Sequence, residues 1–234
     1  MLGQTDDVSM TERGSGPPAA RRGRPARYTP DDLLAVVAQV FLERGYDAAS
    51  MADLARASGL TKSAFYHHVS GKEQLLRLAV NRALDALEGV FDEEASDDDA
   101  VVRLERVLRR TTEVLLAELP YVTLLLRLRG NTEVEREAVV RRRSFDTRLA
   151  LVVREAMDDG RIRADLDPRL VTRLLFGMVN SVAEWYRPGA TRDAASGAQV
   201  VHAVVELALD GLRADRGESD VRHENVHPPS RSGP

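Results

Sequence analysis

From Pro30 to Arg213, apolar residues recur three and four positions apart, and no stretch alternates strictly enough to read as a strand. That interval returns to one face only in a helix, so the pattern predicts an all-α fold. Punctuating residues divide it. Thr29-Pro30-Asp31-Asp32 offers an N-cap, a first-turn proline and two acids for the positive end of the helix dipole. A first helix is predicted over 30–44, stopped by Gly45. Ser50 and Asp53 have capping-box spacing and open a second helix ending at Ala57. Ser58-Gly59 makes the turn, and Thr61 caps a short third helix running to Val69. Ser70 and Glu73 repeat the capping-box spacing and open a long fourth helix toward Glu94. Further helices are predicted near 100–118, 121–129, 132–159, 168–187 and 195–213. Pro120 separates the first two of these, Gly160 closes the third, and Asp167-Pro168 opens the fourth.

With 234 residues and 43% hydrophobic content, the chain can bury a proper core in one or two small domains. It has no cysteine, which removes disulfides, thiolate metal sites and cysteine nucleophiles. The first residues lack the apolar core of a signal peptide, and Arg or Glu interrupts every apolar run. A cytoplasmic protein with no membrane association is therefore expected. The net charge of −4 says little about partners, but its distribution says more. Arg21, Arg22, Arg24 and Arg27 stand together without an acid, while Asp92, Glu93, Glu94 and Asp97 to Asp99 form an acidic cluster. Phosphate contact needs a local basic segment, not a basic protein. Residues 1–25 and 215–234 are polar and rich in Gly, Ser, Pro and Arg, and are expected to be disordered.

The segment SMADLARASGLTKSAFYHHVSGK, Ser50 to Lys72, carries the functional signal. Two short helices joined by a glycine turn match a helix-turn-helix. Met51, Leu54, Leu60 and Phe65 are placed to share a small core with Phe41 and Val69. This core would fix the third helix steeply and leave its first turn free for a major groove. Thr61, Lys62 and Ser63 lie on that turn, suited to base edges and phosphates. Tyr66 and Lys72 are placed to reach phosphates.

Here the chain resembles the TetR/AcrR family of transcriptional regulators, from FLERGY at the end of the first helix through SMADLARASGLTKSAFYHHVSGKEQLL. The likeness covers residues 28–76. It departs at Val69, where that family usually carries an aromatic. The resemblance implies a three-helix DNA-binding domain (26–72, after a basic arm over 1–25), a helical effector-binding and dimerisation domain (73–214), and a dimer on a palindromic double-stranded operator. It implies DNA contacts from Thr61, Lys62, Ser63, Tyr66, His67 and Lys72. Arg24, in Arg21-Arg22-Gly23-Arg24-Pro25, is placed either as a minor-groove hook or as part of a plain electrostatic tether.

The last two predicted helices are apolar around most of their circumference and must bury more than one face. Leu174, Leu175, Met178, Val201, Val204, Val205 and Leu212 are the expected homodimer contacts. The alternative is a helix internal to the protomer's own bundle. The stretch from Asp159 to Ala190 resembles actinobacterial TetR-type regulators of lipid, steroid and aromatic-acid catabolism, several of which sense acyl-coenzyme A thioesters. That likeness implies a small-molecule effector, an acyl-CoA or another hydrophobic ligand. Arg127, Arg129 and the run Arg141-Arg142-Arg143 would meet its phosphates, and Trp185 would line the site. The alternatives are a solvated arginine surface and a tryptophan that merely packs at a helix end.

No metal, cofactor or catalytic residue is expected. Adjacent His67 and His68 point to different sides of a helix, and no phosphate loop, nucleophile elbow or HExxH motif occurs.

Overall fold

The computed structural model describes residues 29–61, 63, 65–66, 69–92, 99–189 and 195–213. Among them are eight α-helices: α1 (Pro30–Arg44), α2 (Met51–Ala57), α3 (Lys72–Glu88), α4 (Ala100–Ala117), α5 (Leu119–Arg127), α6 (Glu133–Asp158), α7 (Pro168–Trp185) and α8 (Gly197–Leu212). A 3-10 turn, Gly89–Phe91, follows α3. The described residues hold no strand, only one isolated antiparallel bridge from Ile162 to Arg213. The fold is all-α. The basic arm with Arg24, the tail, most of the acidic cluster, Lys62 and His67 lie outside the described residues.

Local capping chemistry explains the start of the chain. The Thr29 hydroxyl accepts from the Asp32 N–H at 3.1 Å while the Asp32 carboxylate accepts from the Thr29 N–H at 3.0 Å. Ser50 and Asp53 repeat this reciprocal box at 3.2 and 3.1 Å. Gly45 ends α1 at φ +82°, a left-handed conformation that glycine adopts without a Cβ penalty. Gly59, at φ +66°, does the same in the turn after α2.

The start of α3 departs from expectation. Ser70 and Glu73 form no capping box. The Gln74 carboxamide oxygen instead accepts from the Ser70 N–H at 2.6 Å and the Ser70 hydroxyl at 2.8 Å. The N-cap is Gly71, without a side-chain cap. Pro120 likewise sits inside the first turn of α5, where a missing N–H costs nothing, instead of separating two helices.

One continuous hydrophobic core runs from Leu33 in α1 to Leu212 in α8. In the head, Leu54, Phe65, Phe41 and Val69 are buried, with Met51 and Leu60 packed against them. Burying a phenylalanine contributes about 1.5–3 kcal/mol, so Phe65 does much to set the angle of the segment that carries it. In the bundle, α4 lies against α6, α7 and α8. The helix α5 packs on both α1 and α3, and so joins the head to the bundle.

Candidate functional site

The head presents a short polar surface. Ser63, Phe65 and Tyr66 are helical, and the Phe65 N–H donates to the Thr61 carbonyl at 2.9 Å. Phe65 points inward. Thr61 and Ser63 are exposed, and Tyr66 is 46% exposed. Behind them, Asp53 takes Arg44 and Arg56 at 3.0 and 3.1 Å, and its hydrogen bonds from Ser50 hold its carboxyl below the usual range.

Lys72 is more engaged than its sequence position suggests. Its Nζ donates to the Tyr46 carbonyl at 2.8 Å and the Asp47 carbonyl at 3.2 Å, and lies 4.4 Å from the Tyr46 ring centre. An ammonium has three donors, so one remains for an outside acceptor.

A second site lies in the bundle. A cavity of about 640 Å³ opens between α6 and α7. Four arginines line it: Arg142 and Arg143 from α6, Arg169 and Arg173 from α7. Among the described residues, Arg143, Arg169 and Arg173 meet no carboxylate within 4 Å. The one carboxylate in the lining is Asp146, half-buried. Burial pushes its pKa up, and the charges of Arg142 and Arg173 oppose that shift. Four cations against one carboxylate leave the mouth net positive, an arrangement suited to a polyanion.

Deeper in, a smaller chamber of about 40 Å³ shares Leu126, Arg142, Asp146, Phe176 and Asn180 with the outer cavity. Its remaining wall is nearly all apolar: Leu87 of α3, Leu115 of α4, Val122 and Leu125 of α5, and Phe145 of α6. Phe145 is braced by Phe91 at 5.0 Å and Phe176 at 5.3 Å between ring centres. A charged vestibule thus adjoins a mostly apolar chamber, a division suited to an amphipathic anion.

Both regions have counterparts in known proteins. Residues 33–79 match the model of bacterial regulatory proteins of the tetR family, and residues 97–212 match the tetracyclin repressor-like C-terminal domain. The HTH-type transcriptional repressor KstR2 of Rhodococcus jostii (strain RHA1) is 30% identical over 199 residues, spanning 81% of this chain and 93% of the relative. The chain belongs to the TetR family of transcriptional regulators. Among solved members, SCO3833 from Streptomyces coelicolor A3 is 56% identical with a TM-score of 0.72, over 80% of this chain and 94% of that one. AibR, solved in complex with isovaleryl coenzyme A and operator DNA, is 25% identical with a TM-score of 0.62, over 76% and 96%.

Several residues singled out from the regulator's sequence take other places. Arg141 is turned away from the cavity. It donates to Glu88 at 2.8 and 2.7 Å, Asp85 at 2.6 Å and Asn81 at 3.1 Å, pinning α6 to α3, and the Glu88 hydrogen bond raises its pKa. Arg127 donates to the Leu42 carbonyl at 2.9 Å and ties α5 to α1. Arg129 is exposed away from the cavity; its backbone N–H joins those of Gly130 and Asn131 in binding the buried Glu135 carboxylate. Trp185 is exposed on α7, edge-on to Tyr186. Sequence reasoning missed Arg169, Arg173 and Asn180. Their signal was a polar stripe at helical spacing, with Phe176, along an otherwise apolar helix.

The expected dimer contacts also need correction. Leu175, Val201, Val204, Val205 and Leu212 are buried within the protomer, and Met178 is half-buried. The apolar faces of α7 and α8 are consumed largely by α4 and α6. Of the nominated residues only Leu174 is well exposed, and it shares the outer face of α7 with exposed Leu170 and Trp185. On α8 the large hydrophobic residue left exposed is Leu207.

Among the described residues, no helix is long and apolar enough to cross a membrane.

Proposed function

We propose that this TetR-family regulator is a repressor that binds a palindromic operator as a homodimer and is released by an acyl-CoA thioester. The observation that carries the effector part is the four-arginine vestibule leading into an apolar chamber. Coenzyme A has phosphates for the arginines, and the apolar wall of the chamber, which at about 40 Å³ must widen to admit it, matches an acyl group. A solved relative in complex with isovaleryl coenzyme A and operator DNA supports an acyl-CoA as the class of ligand, and a relative named as a repressor supports repression.

In this reading Thr61, Lys62 and Ser63 face base edges while Tyr66, His67 and Lys72 take phosphates. The second copy covers the outer face of α7 and Leu207 of α8. Two heads read a palindrome when their recognition segments sit about 34 Å apart, one turn of DNA.

The chamber borders the two helices that grip the head. Leu87 belongs to α3, and Val122, Leu125 and Leu126 belong to α5. Arg82 of α3 binds Glu118 at 2.6 Å and Asp31 of α1 at 3.2 Å, while Arg127 of α5 holds α1 at Leu42. A ligand that wedges α3 and α5 apart therefore moves α1 and changes head spacing. Release requires tighter binding to the wide-spaced state, since only that difference shifts the equilibrium.

The salt dependence of binding to duplex DNA tests the head. Lys72→Ala should weaken binding to every duplex and flatten the log–log salt slope by about one unit, because one phosphate contact disappears. An unchanged slope would confine Lys72 to bracing the turn at Tyr46 and Asp47.

A further inference from the structure

Among the described residues that line the inner chamber, one buried hydroxyl has no hydrogen-bond partner. Thr111, on α4, is 4% exposed, lines the chamber, and its Oγ1 is buried without a hydrogen-bond partner. The other described threonines inside helices behave differently. Thr112, Thr123, Thr147 and Thr172 each donate to the carbonyl four residues back, at 2.8, 2.6, 2.9 and 2.8 Å. Thr111 forgoes that bond, and in the wall it shares with Leu115, Val122 and Phe145 it pairs with no described residue, Asp146 and Asn180 at the neck included. An orphaned buried hydroxyl is costly, and valine would fill the same volume without the penalty.

We propose that the effector carries an oxygen, a carbonyl or hydroxyl, near the far end of its acyl group, and that the Thr111 hydroxyl binds it. This rests on the thioester reading above. The arginines at the mouth take the phosphates, the neck at Asp146 and Asn180 passes the chain, and Thr111 meets its end. Ligand specificity then lies in a matched hydrogen bond inside an apolar wall, where a plain alkyl end leaves the hydroxyl unpaired.

Two thioesters that differ only in that oxygen provide the test: 4-oxopentanoyl-CoA and pentanoyl-CoA, titrated by calorimetry into the full-length protein. The wild type should bind the oxo compound about tenfold more tightly. Thr111→Val should erase the preference with no loss of melting temperature, and Thr111→Ser, which keeps the hydroxyl, should retain it. Equal binding of both thioesters by the wild type, or a preference that survives in Thr111→Val, would overturn this proposal and leave the thioester reading standing. Failure of both thioesters to bind would overturn the two together.

Discussion

Leu174→Asp combined with Leu207→Asp is expected to give a folded monomer whose operator affinity is at least about a hundredfold lower, since an uncompensated charge in an interface costs several kcal/mol. Leu174 is 61% and Leu207 is 70% exposed in the protomer. Two aspartates there face water in the monomer, so the melting temperature should hardly fall. In the dimer the same carboxylates would be trapped in a desolvated apolar face, where unpaired charge is strongly disfavoured. Each isolated head then binds one half-site and loses the advantage of the linked pair. Val204→Asp cannot make this distinction. Val204 is 6% exposed, inside the protomer core, so a carboxylate there destabilises the fold itself. Sedimentation velocity with a thermal melt separates the cases. A double variant that stays dimeric would remove α7 and α8 as the interface.

Arg169→Ala with Arg173→Ala should abolish the effector response while leaving operator binding intact. The two side chains stand one helical turn apart on the cavity face of α7 and meet no carboxylate of the described residues within 4 Å. A hydrogen bond to a charged group contributes about 1.5–3 kcal/mol, so losing two weakens thioester binding by roughly 10²–10⁴-fold. The protein should stay folded, because neither residue holds an ion pair with another described residue. Calorimetry with an acyl-CoA reads the affinity, and fluorescence anisotropy of labelled operator reads the DNA. A double variant still released at wild-type thioester concentration would contradict the cavity assignment.

How much of this was legible in the sequence depended on how local the deciding interaction was. Helices α1 and α2 begin where Thr29 and Ser50 predict, because both capping boxes close within four residues. The same reasoning failed at Ser70, where Gln74, one residue beyond the expected Glu73, took both of the serine's donors. The apolar circumference of α8 announced a buried helix, and within the protomer one face of it, from Val200 through Val204 and Ala208 to Leu212, is buried. It did not say against what, and α4 of the same chain proved to cover Val201, Val204 and Val205. The run Arg141-Arg142-Arg143 shows the limit most sharply. Successive helical residues turn by about 100°. Arg141 therefore meets Glu88 and Asp85 on α3 while Arg142 and Arg143 face the cavity. Only the placement of α3 and α7 around α6 separates those roles. Thr111 was invisible for the same reason, since an unpaired hydroxyl is a property of the packed bundle.

The central claim is that a dimer holds a palindrome and that a thioester releases it without breaking the dimer. Sedimentation velocity of the wild-type protein with a palindromic duplex selected from random sequence, titrated with an acyl-CoA, tests this most directly. The expected result is a protein–duplex complex that gives way to free duplex and free dimer as the thioester rises. Release as monomers, or a complex that persists at saturating thioester, would contradict it.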